Sequence, residues 1–497
     1  MKKKFLFYID AELVHFFIAK CMQEKVDGEF YAVMDIPQKM KSFFENQKIV
    51  NFQKTWLYRD HVSMSMQKPD LQYLSSFEKK YKINLWELVF NERHFIGFNQ
   101  FHKFNREEIL WILEQECKFF ETLLDQANPD YFIVKVYTPH HTHLLYSMCK
   151  EKKIKIMMTA QTRISGRTMI SSDFDKFDDL IGKYDDNFQN DTLDDLRQKM
   201  EDKISNRLKA LSKRWDYKIS KTKQLEVAIK FLKSTDFQEY QNYFPNYGKN
   251  IWKIFEEKLN SSKSKSKSIS FLNKNSFRTI PEYIPFMFFP LHVEPERTIS
   301  IDSPYYSNQL EIITNVARSL PIDYKLFVKE HPMQIVAGGR SLSYYKSILD
   351  LPNVCLIHPS IPSVELMKKC SLVITINGSA GFEGQFYGKP TIVFADPFYS
   401  SLTSVFKIEN YSDLPKTIHR ALSSKIDLES LKKLLNIIEY NSFEFSWDDI
   451  SQAIENQFLY GGNLGEVILD ELEMNSFFQK HRKYFEIITD KHIKKIT

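Results

Sequence analysis

Residues 372–394 read LVITINGSAGFEGQFYGKPTIVF. Two short apolar runs, 372–376 and 391–394, are too brief for buried helices and rich in β-branched residues, so they predict strands. Between them, 380–387 predicts a short helix entered through Asn377-Gly378-Ser379. Strand, glycine turn, helix and strand form the repeating unit of a parallel α/β sheet. Glycine is scarce here, 14 in 497 residues, yet Gly378, Gly381, Gly384 and Gly388 fall within eleven positions.

The same alternation extends outward from this stretch. Upstream strand candidates are 284–289 (IPFMFF), 325–329 (KLFVK) and 353–357 (NVCLI), with helical segments at 307–319, 341–350 and 362–369. A second alternating region opens the chain. It has strands at 4–9 (KFLFYI), 30–35 (FYAVMD), 131–136 (YFIVKV) and 154–158 (IKIMM), and helices at 11–25, 106–127 and 140–152. Between the halves the strand signal disappears. Residues 193–235 are polar, helical and lysine-rich, and SSKSKSKSI (261–269) reads as a flexible connection.

The expected fold is α/β: two Rossmann-like domains facing a cleft, with a helical insertion and a helical C-terminal tail. The expected bounds are 1–180, 181–270 (insertion and Ser/Lys linker), 280–405 and 406–497. In such folds ligands bind beyond the carboxyl ends of the strands.

Composition narrows the function classes. With 68 basic against 63 acidic residues the net charge is +5, which gives no argument for nucleic acid. Five cysteines form no CxxC pair, so a disulfide framework is not expected. The opening MKKKFLFYID has an apolar run of only five residues before Asp10, too short for an export signal or a spanning helix. A cytoplasmic protein is therefore expected. Contact with the inner membrane face is an added expectation from the lysine-rich 193–235 stretch.

Three constellations carry candidate chemistry. At 377–383, glycines at a strand-to-helix turn let a backbone approach a ligand, and the first helical N–H groups favour a phosphate. Asn377, Gly378, Ser379, Ala380 and Gly381 are the candidate phosphate contacts, with Glu383 set to accept from ribose hydroxyls. A tight connection packed on glycine is the alternative. In LFVKEHP (326–332) a strand delivers Lys329, Glu330 and His331 to the same sheet edge. His331 is the candidate phosphate donor or general acid, and a capping role is its alternative. In FFPLHVEPERT (288–298), His292, Glu294 and Glu296 are candidate substrate contacts, or members of an ion network with Arg297.

In the first half, TAQTRISGR (159–167) offers Gln161, Arg163 and Arg167 to an anionic substrate group. Asp10 and Glu12, where the first strand opens into its helix, are candidate general bases, with helix capping as the alternative. Asp173-Phe174-Asp175 matches a metal-binding DxD but lies in an acidic loop. His140, His141 and His143 have no carboxylate or cysteine close in sequence. No metal site and no cofactor are expected.

In their order, FFPLHVEPERT, VKEHP, LPNVCLIHPS and TINGSAGFEGQFYGKPTIVF resemble the capsular polysaccharide biosynthesis proteins of bacteria and archaea. That group includes the capsule Kdo transferases and is similar to other two-domain (GT-B type) glycosyltransferases. The likeness covers 284–400 and extends through KINLWELVFNERHF (82–95) and TAQTRISGR. It implies transfer of a sugar from a nucleotide-linked donor to a surface polysaccharide or its lipid carrier. A CMP-linked acidic sugar such as Kdo is the favoured donor, and no metal is implied. By the same resemblance His331-Pro332 and Ser379 hold the donor phosphate. A CDP-glycerol-type polyol-phosphate transferase, a non-catalytic glycan- or nucleotide-sugar-binding assembly protein, and a nucleotide-sugar epimerase remain alternatives.

Overall fold

The computed structural model describes residues 2–97, 100–180, 187–201, 240–281, 284–461 and 467–496. Most of the 193–235 stretch lies outside them. Two compact units divide the chain: one takes 1–180, 203–251 and 440–497, the other 181–202 and 252–439.

The first unit is built on β1 (Lys3–Asp10), β2 (Gly28–Asp35), β3 (Lys54–Leu57), β4 (Tyr131–Lys135), β5 (Lys155–Gln161) and β6 (Arg167–Ser171). Strands β1 to β5 pair in parallel, and β6 runs antiparallel on β5. Phe5, Leu6, Phe7 and Ile9 of β1 are fully buried, as expected for a parallel sheet covered on both faces. The chain order reverses beside β1, which pairs with β2 on one side and β4 on the other.

The second unit holds β7 (Phe286–Pro290), β8 (Lys325–Lys329), β9 (Val354–Ile357), β10 (Leu372–Thr375), β11 (Thr391–Val393) and β12 (Val405–Lys407). All pair in parallel in the spatial order β12-β11-β10-β7-β8-β9. This is the doubly wound order, and its switch point lies between β7 and β10. The expected strands of both halves are present.

The tail divides differently from the sequence expectation. Strand β12 and the helices Leu414–Leu422 and Leu428–Asn441 belong almost wholly to the second unit. The chain then returns to the first unit, where β13 (Ser442–Glu444) pairs antiparallel with β6. The terminal helix Glu471–Ile496 packs Phe478 and Phe485 on Phe17 of the helix Val14–Lys25, with ring centroids 5.9 and 4.8 Å apart.

The segment 261–269 is not a flexible connection. It lies inside the helix Ile251–Asn275. Its small residues allow close packing: Ser268 is buried and donates to the Arg340 carbonyl at 2.8 Å. A Cβ on Gly339 would come within 2.6 Å of Ser268. Ser268 is the position in this segment where a small side chain is needed.

Candidate functional site

In the second unit the polar residues gather at the carboxyl edge of the sheet, around the switch point. His292 follows β7, and its Nε2 lies 3.1 Å from Oγ1 of Thr375, the last residue of β10. The same Thr375 oxygen accepts the Gly378 N–H at 3.1 Å. A side chain at 378 has no room, since a Cβ would sit 2.6 Å from Thr375 Oγ1 and 3.0 Å from His292 Cε1. Tyr399 donates its hydroxyl to the Gly378 carbonyl and closes the turn from the far side. Glycine at 378 therefore serves close approach, whereas Gly381 serves packing, its face lying against Tyr399 and Thr391.

The helix Ser379–Phe386 starts with no side-chain cap at Gly378. At a helix start the first N–H groups lack an intrahelical acceptor; here the Gly381 N–H already donates to the Gly378 carbonyl at 3.2 Å, which leaves those of Ser379 and Ala380 for a ligand. Ser379 donates to Glu383 at 2.8 Å, so the two side chains form one polar unit over the first turn. Asn377 is only 5% exposed, and its Oδ1 has no hydrogen-bond partner. A buried acceptor left unpaired costs about 1–3 kcal/mol, so a donor brought by a ligand would recover that energy.

The end of β8 sends two neighbouring charged residues, Lys329 and Glu330, into separate environments. Lys329, 4% exposed, donates to Ser363 Oγ at 3.1 Å. Burial lowers its pKa to about 8, against the raising effects of Glu330 and Glu383. It remains a cation at neutral pH and suits a phosphate. Glu330, fully buried, does not serve the donor. It accepts Arg340 Nε at 2.8 Å and the Tyr345 hydroxyl at 2.8 Å. Placing it among the phosphate contacts is thus corrected: alternation along the extended chain turns it away from Lys329.

His331 caps the helix Pro332–Val336, its Nδ1 accepting the Met333 N–H at 3.1 Å. That bond leaves the ring proton on Nε2. Burial, then Lys329 and Arg340, lower its pKa to about 4. His331 is therefore a neutral N–H donor rather than a cation at neutral pH, and it also fills the capping role.

Of the other candidates near β7, Glu294 is engaged within the protein. Glu294 pairs with Arg340 and accepts from Gln309, while its N–H donates to Gln334 Oε1 at 2.8 Å. Arg340 also donates to the His292 carbonyl. The expected ion network forms, but Arg297 is not its centre, being paired with Asp302 at 2.8 Å. Glu296 lies just before the short helix Arg297–Ser300.

In the first unit Asp10 ends β1, beside the reversal point with β4. Its Oδ1 accepts the Glu12 N–H at 3.0 Å. Neither acid caps the next helix, whose cap position is Leu13 at φ 59° with no side-chain bond. Burial, followed by the Glu12 charge, raises the Asp10 pKa to about 6, while Lys135 pulls it down. Glu12 is occupied by three donors: Lys135 Nζ, Trp447 Nε1 at 2.9 Å and Ser451 Oγ at 3.2 Å. Asp10 is thus the base candidate, and Glu12 anchors Lys135 beside it.

Gln161 ends β5 and lines a small pocket with Gly166 and Trp447. Arg163 lies 4.0 Å from Asp175. Arg167 is engaged in sheet pairing, its Nε donating to Ser442 Oγ at 2.8 Å. Arg167 lines the same small pocket as Gln161, so its guanidinium both joins β13 and borders that pocket. Sequence reasoning missed Thr375, Tyr399, Arg340 and Lys135. Only Lys135 carried a signal, as a cation closing an apolar strand.

Residues 199–405 match the family described as capsule polysaccharide biosynthesis protein, in agreement with the resemblance read from the motifs. Protein FixF of Sinorhizobium fredii is 28% identical over 133 residues, 26% of this chain. The match spans 31% of that protein's length. Among solved structures, the beta Kdo 2,4 transferase of Thermosulfurimonas dismutans KpsC is 11% identical, with a TM-score of 0.33 over 66% of this chain and 87% of that one. Its beta Kdo 2,7 transferase is 14% identical, with a TM-score of 0.32 over 75% and 95%. UDP-GlcNAc 2-epimerase of Methanocaldococcus jannaschii is 13% identical, with a TM-score of 0.24 over 88% and 99%.

Proposed function

We propose that the protein is a glycosyltransferase of surface-polysaccharide synthesis that takes a sugar from a nucleotide-linked donor, a CMP-linked acidic sugar such as Kdo being favoured. The observation that carries this reading is the uncapped helix start at Gly378-Ser379, set at the switch point of a doubly wound sheet beside buried Lys329. Helix N–H groups and one ammonium suit a phosphate bound to a small leaving nucleoside. Asn377 Oδ1 would accept from the nucleoside, whose base and ribose both carry donors.

In this reading the second unit holds the donor and stabilises the departing phosphate. His331 contributes Nε2–H as a fixed neutral donor, and Lys329 contributes charge. Asp10 of the first unit takes the proton from the acceptor hydroxyl, its raised pKa matching a base that works near neutral pH. The acceptor is a glycan or its lipid carrier. A lipid-linked acceptor would be met at the inner membrane face; among the described residues no helix is long and apolar enough to cross a membrane.

The test is transfer of label from a CMP-linked acidic sugar to capsule-type glycan primers, with UDP- and GDP-linked sugars as competitors. A glycosidic product lost in Asp10→Asn supports the reading. A phosphodiester product from CDP-glycerol would replace it with polyol-phosphate transfer. Binding of nucleotide with no turnover on any primer would leave a non-catalytic binding protein.

A further inference from the structure

Behind the carboxyl edge of the first sheet lies a buried group of ionisable side chains that the proposed reaction does not use. His140 and His141 open the helix His140–Glu151, after β4. In sequence they have no acidic neighbour, but the fold brings three. Glu92 lies 2.8 Å from His140 Nδ1, and Glu116 lies 2.9 Å from His140 Nε2. Asp35, at the end of β2, is 3.4 Å from His141 Nε2, which also meets the Tyr8 hydroxyl at 2.9 Å. His141 Nδ1 is buried and has no partner.

We propose that Glu116, His140 and His141 form a structural site for one divalent first-row cation, zinc being the reference ion.

Three observations lead there. One ligand atom from each residue lies within 4.8 Å of the others, and all three side chains are buried. At zinc–ligand bonds of about 2.0–2.2 Å, ligand atoms on a tetrahedral ion stand about 3.3–3.6 Å apart, so binding draws the three side chains together by up to about 1.5 Å. Second, each histidine already has its far side oriented. Glu92 holds His140 through Nδ1 and Asp35 faces His141 through Nε2, the carboxylate–histidine arrangement that fixes metal-binding imidazoles. His140 Nε2 and His141 Nδ1 remain for a metal.

Third, the charge is unbalanced. Glu92 and Glu116 are buried with no lysine or arginine on either among the described residues, and Arg59 is given to Asp35 at 3.0 Å. A proton on His140 offsets one of these two charges, whereas a divalent ion offsets both. On binding, the metal takes the Nε2 lone pair of His140, and the proton shared there with Glu116 leaves to solvent. Tyr58, which donates to the other Glu116 oxygen, keeps the carboxylate in place. His143 takes no part, being stacked on Tyr137 at 4.4 Å. Three protein ligands leave the fourth position of a tetrahedral ion to a water; because all three side chains are buried, the role assigned to the ion is structural.

The experiment uses the full chain, made without a histidine tag in zinc-supplemented medium. Elemental analysis should find about one zinc per chain, as for a site whose binding is coupled to folding. Chelation should lower Tm, and Co²⁺ added to the stripped protein should restore Tm and give a visible tetrahedral spectrum. Glu116→Gln, which keeps shape and hydrogen bonding, should lose at least tenfold in metal affinity. Folded wild-type protein with no bound metal and no Tm response to Zn²⁺ or Co²⁺ overturns the site. Full metal content in a folded Glu116→Gln protein overturns it too, because the ion then sits elsewhere. Should that variant not fold, X-ray absorption of the wild-type cobalt form decides, with two imidazole ligands expected and none contradicting.

Discussion

His292 Nε2 lies 3.1 Å from Thr375 Oγ1, joining the chain that leaves β7 to the strand that feeds the Gly378 turn. The bond spans the switch point, so the geometry of the Gly378 turn depends on a residue more than eighty positions away. His292→Ala removes the bond and leaves a gap beside Gly378. Chemical denaturation should show a loss of about 1–3 kcal/mol, and calorimetry should show at least tenfold weaker donor binding.

His331 combines a cap and a donor, and one substitution separates them. In His331→Asn the amide oxygen still accepts the Met333 N–H, so stability should change by less than about 1 kcal/mol. The Nε2–H donor is lost, and kcat should fall about 10²–10³-fold, the range for a removed transition-state donor. Because its pKa is lowered to about 4, the His331 ring should show no protonation in an NMR titration above pH 5.

Arg340 is the hub beneath the loop after β7, bonded to Glu330, Glu294 and the His292 carbonyl. Arg340→Met leaves the fully buried Glu330 carboxylate without its cation. Loss of one partner of a buried pair costs about 3–5 kcal/mol. Denaturant titration should show that loss, and Arg340→Met/Glu330→Gln should recover part of it.

Asp10 gives a pH dependence of definite sign. Its folded pKa, about 6, is above the ordinary carboxyl value. The native state therefore holds the proton more tightly than the unfolded chain, and this contribution is lost as pH rises through 6. Asp10→Asn should be no more stable than wild type at pH 4 but more stable at pH 8, by at most about 3 kcal/mol. Its Oδ1 still accepts the Glu12 N–H, yet transfer should be abolished. Equal stability at both pH values would remove the case for a perturbed Asp10.

Much of the fold is legible in the sequence because buried parallel strands are continuous apolar runs. KFLFYI, KLFVK and LVITI stand out for that reason, and each is a strand in the structure. Edge elements are less visible. β12 and β13 have three residues each, and β6 begins at the last residue of TAQTRISGR, whose first three residues end β5. In 261–269 composition misled, since the segment is helical and packs through Ser268.

For the site, residues at strand ends and the glycine turn could be found, as local sequence marks them. Their partners could not. Tyr399, Arg340 and Trp447 reach Gly378, Glu330 and Glu12 from loops and helices up to 435 positions away. The acids around His140 were missed on the same ground, Glu92 lying 48 positions away. Local sequence also says little about which side of a strand end a charge takes, which is why Glu330 was assigned to the ligand.

The central claim is that a nucleotide phosphate binds at the turn after β10. Isothermal titration of CMP, with CDP, UDP and GDP for comparison, into wild type and Gly378→Ala tests it directly. The added Cβ would meet Thr375 Oγ1 at 2.6 Å and displace the turn. Tightest binding by CMP in the wild type, weakened at least tenfold in a folded Gly378→Ala protein, is the result expected. Absence of nucleotide binding, or equal CMP affinity in the two proteins, would contradict the account.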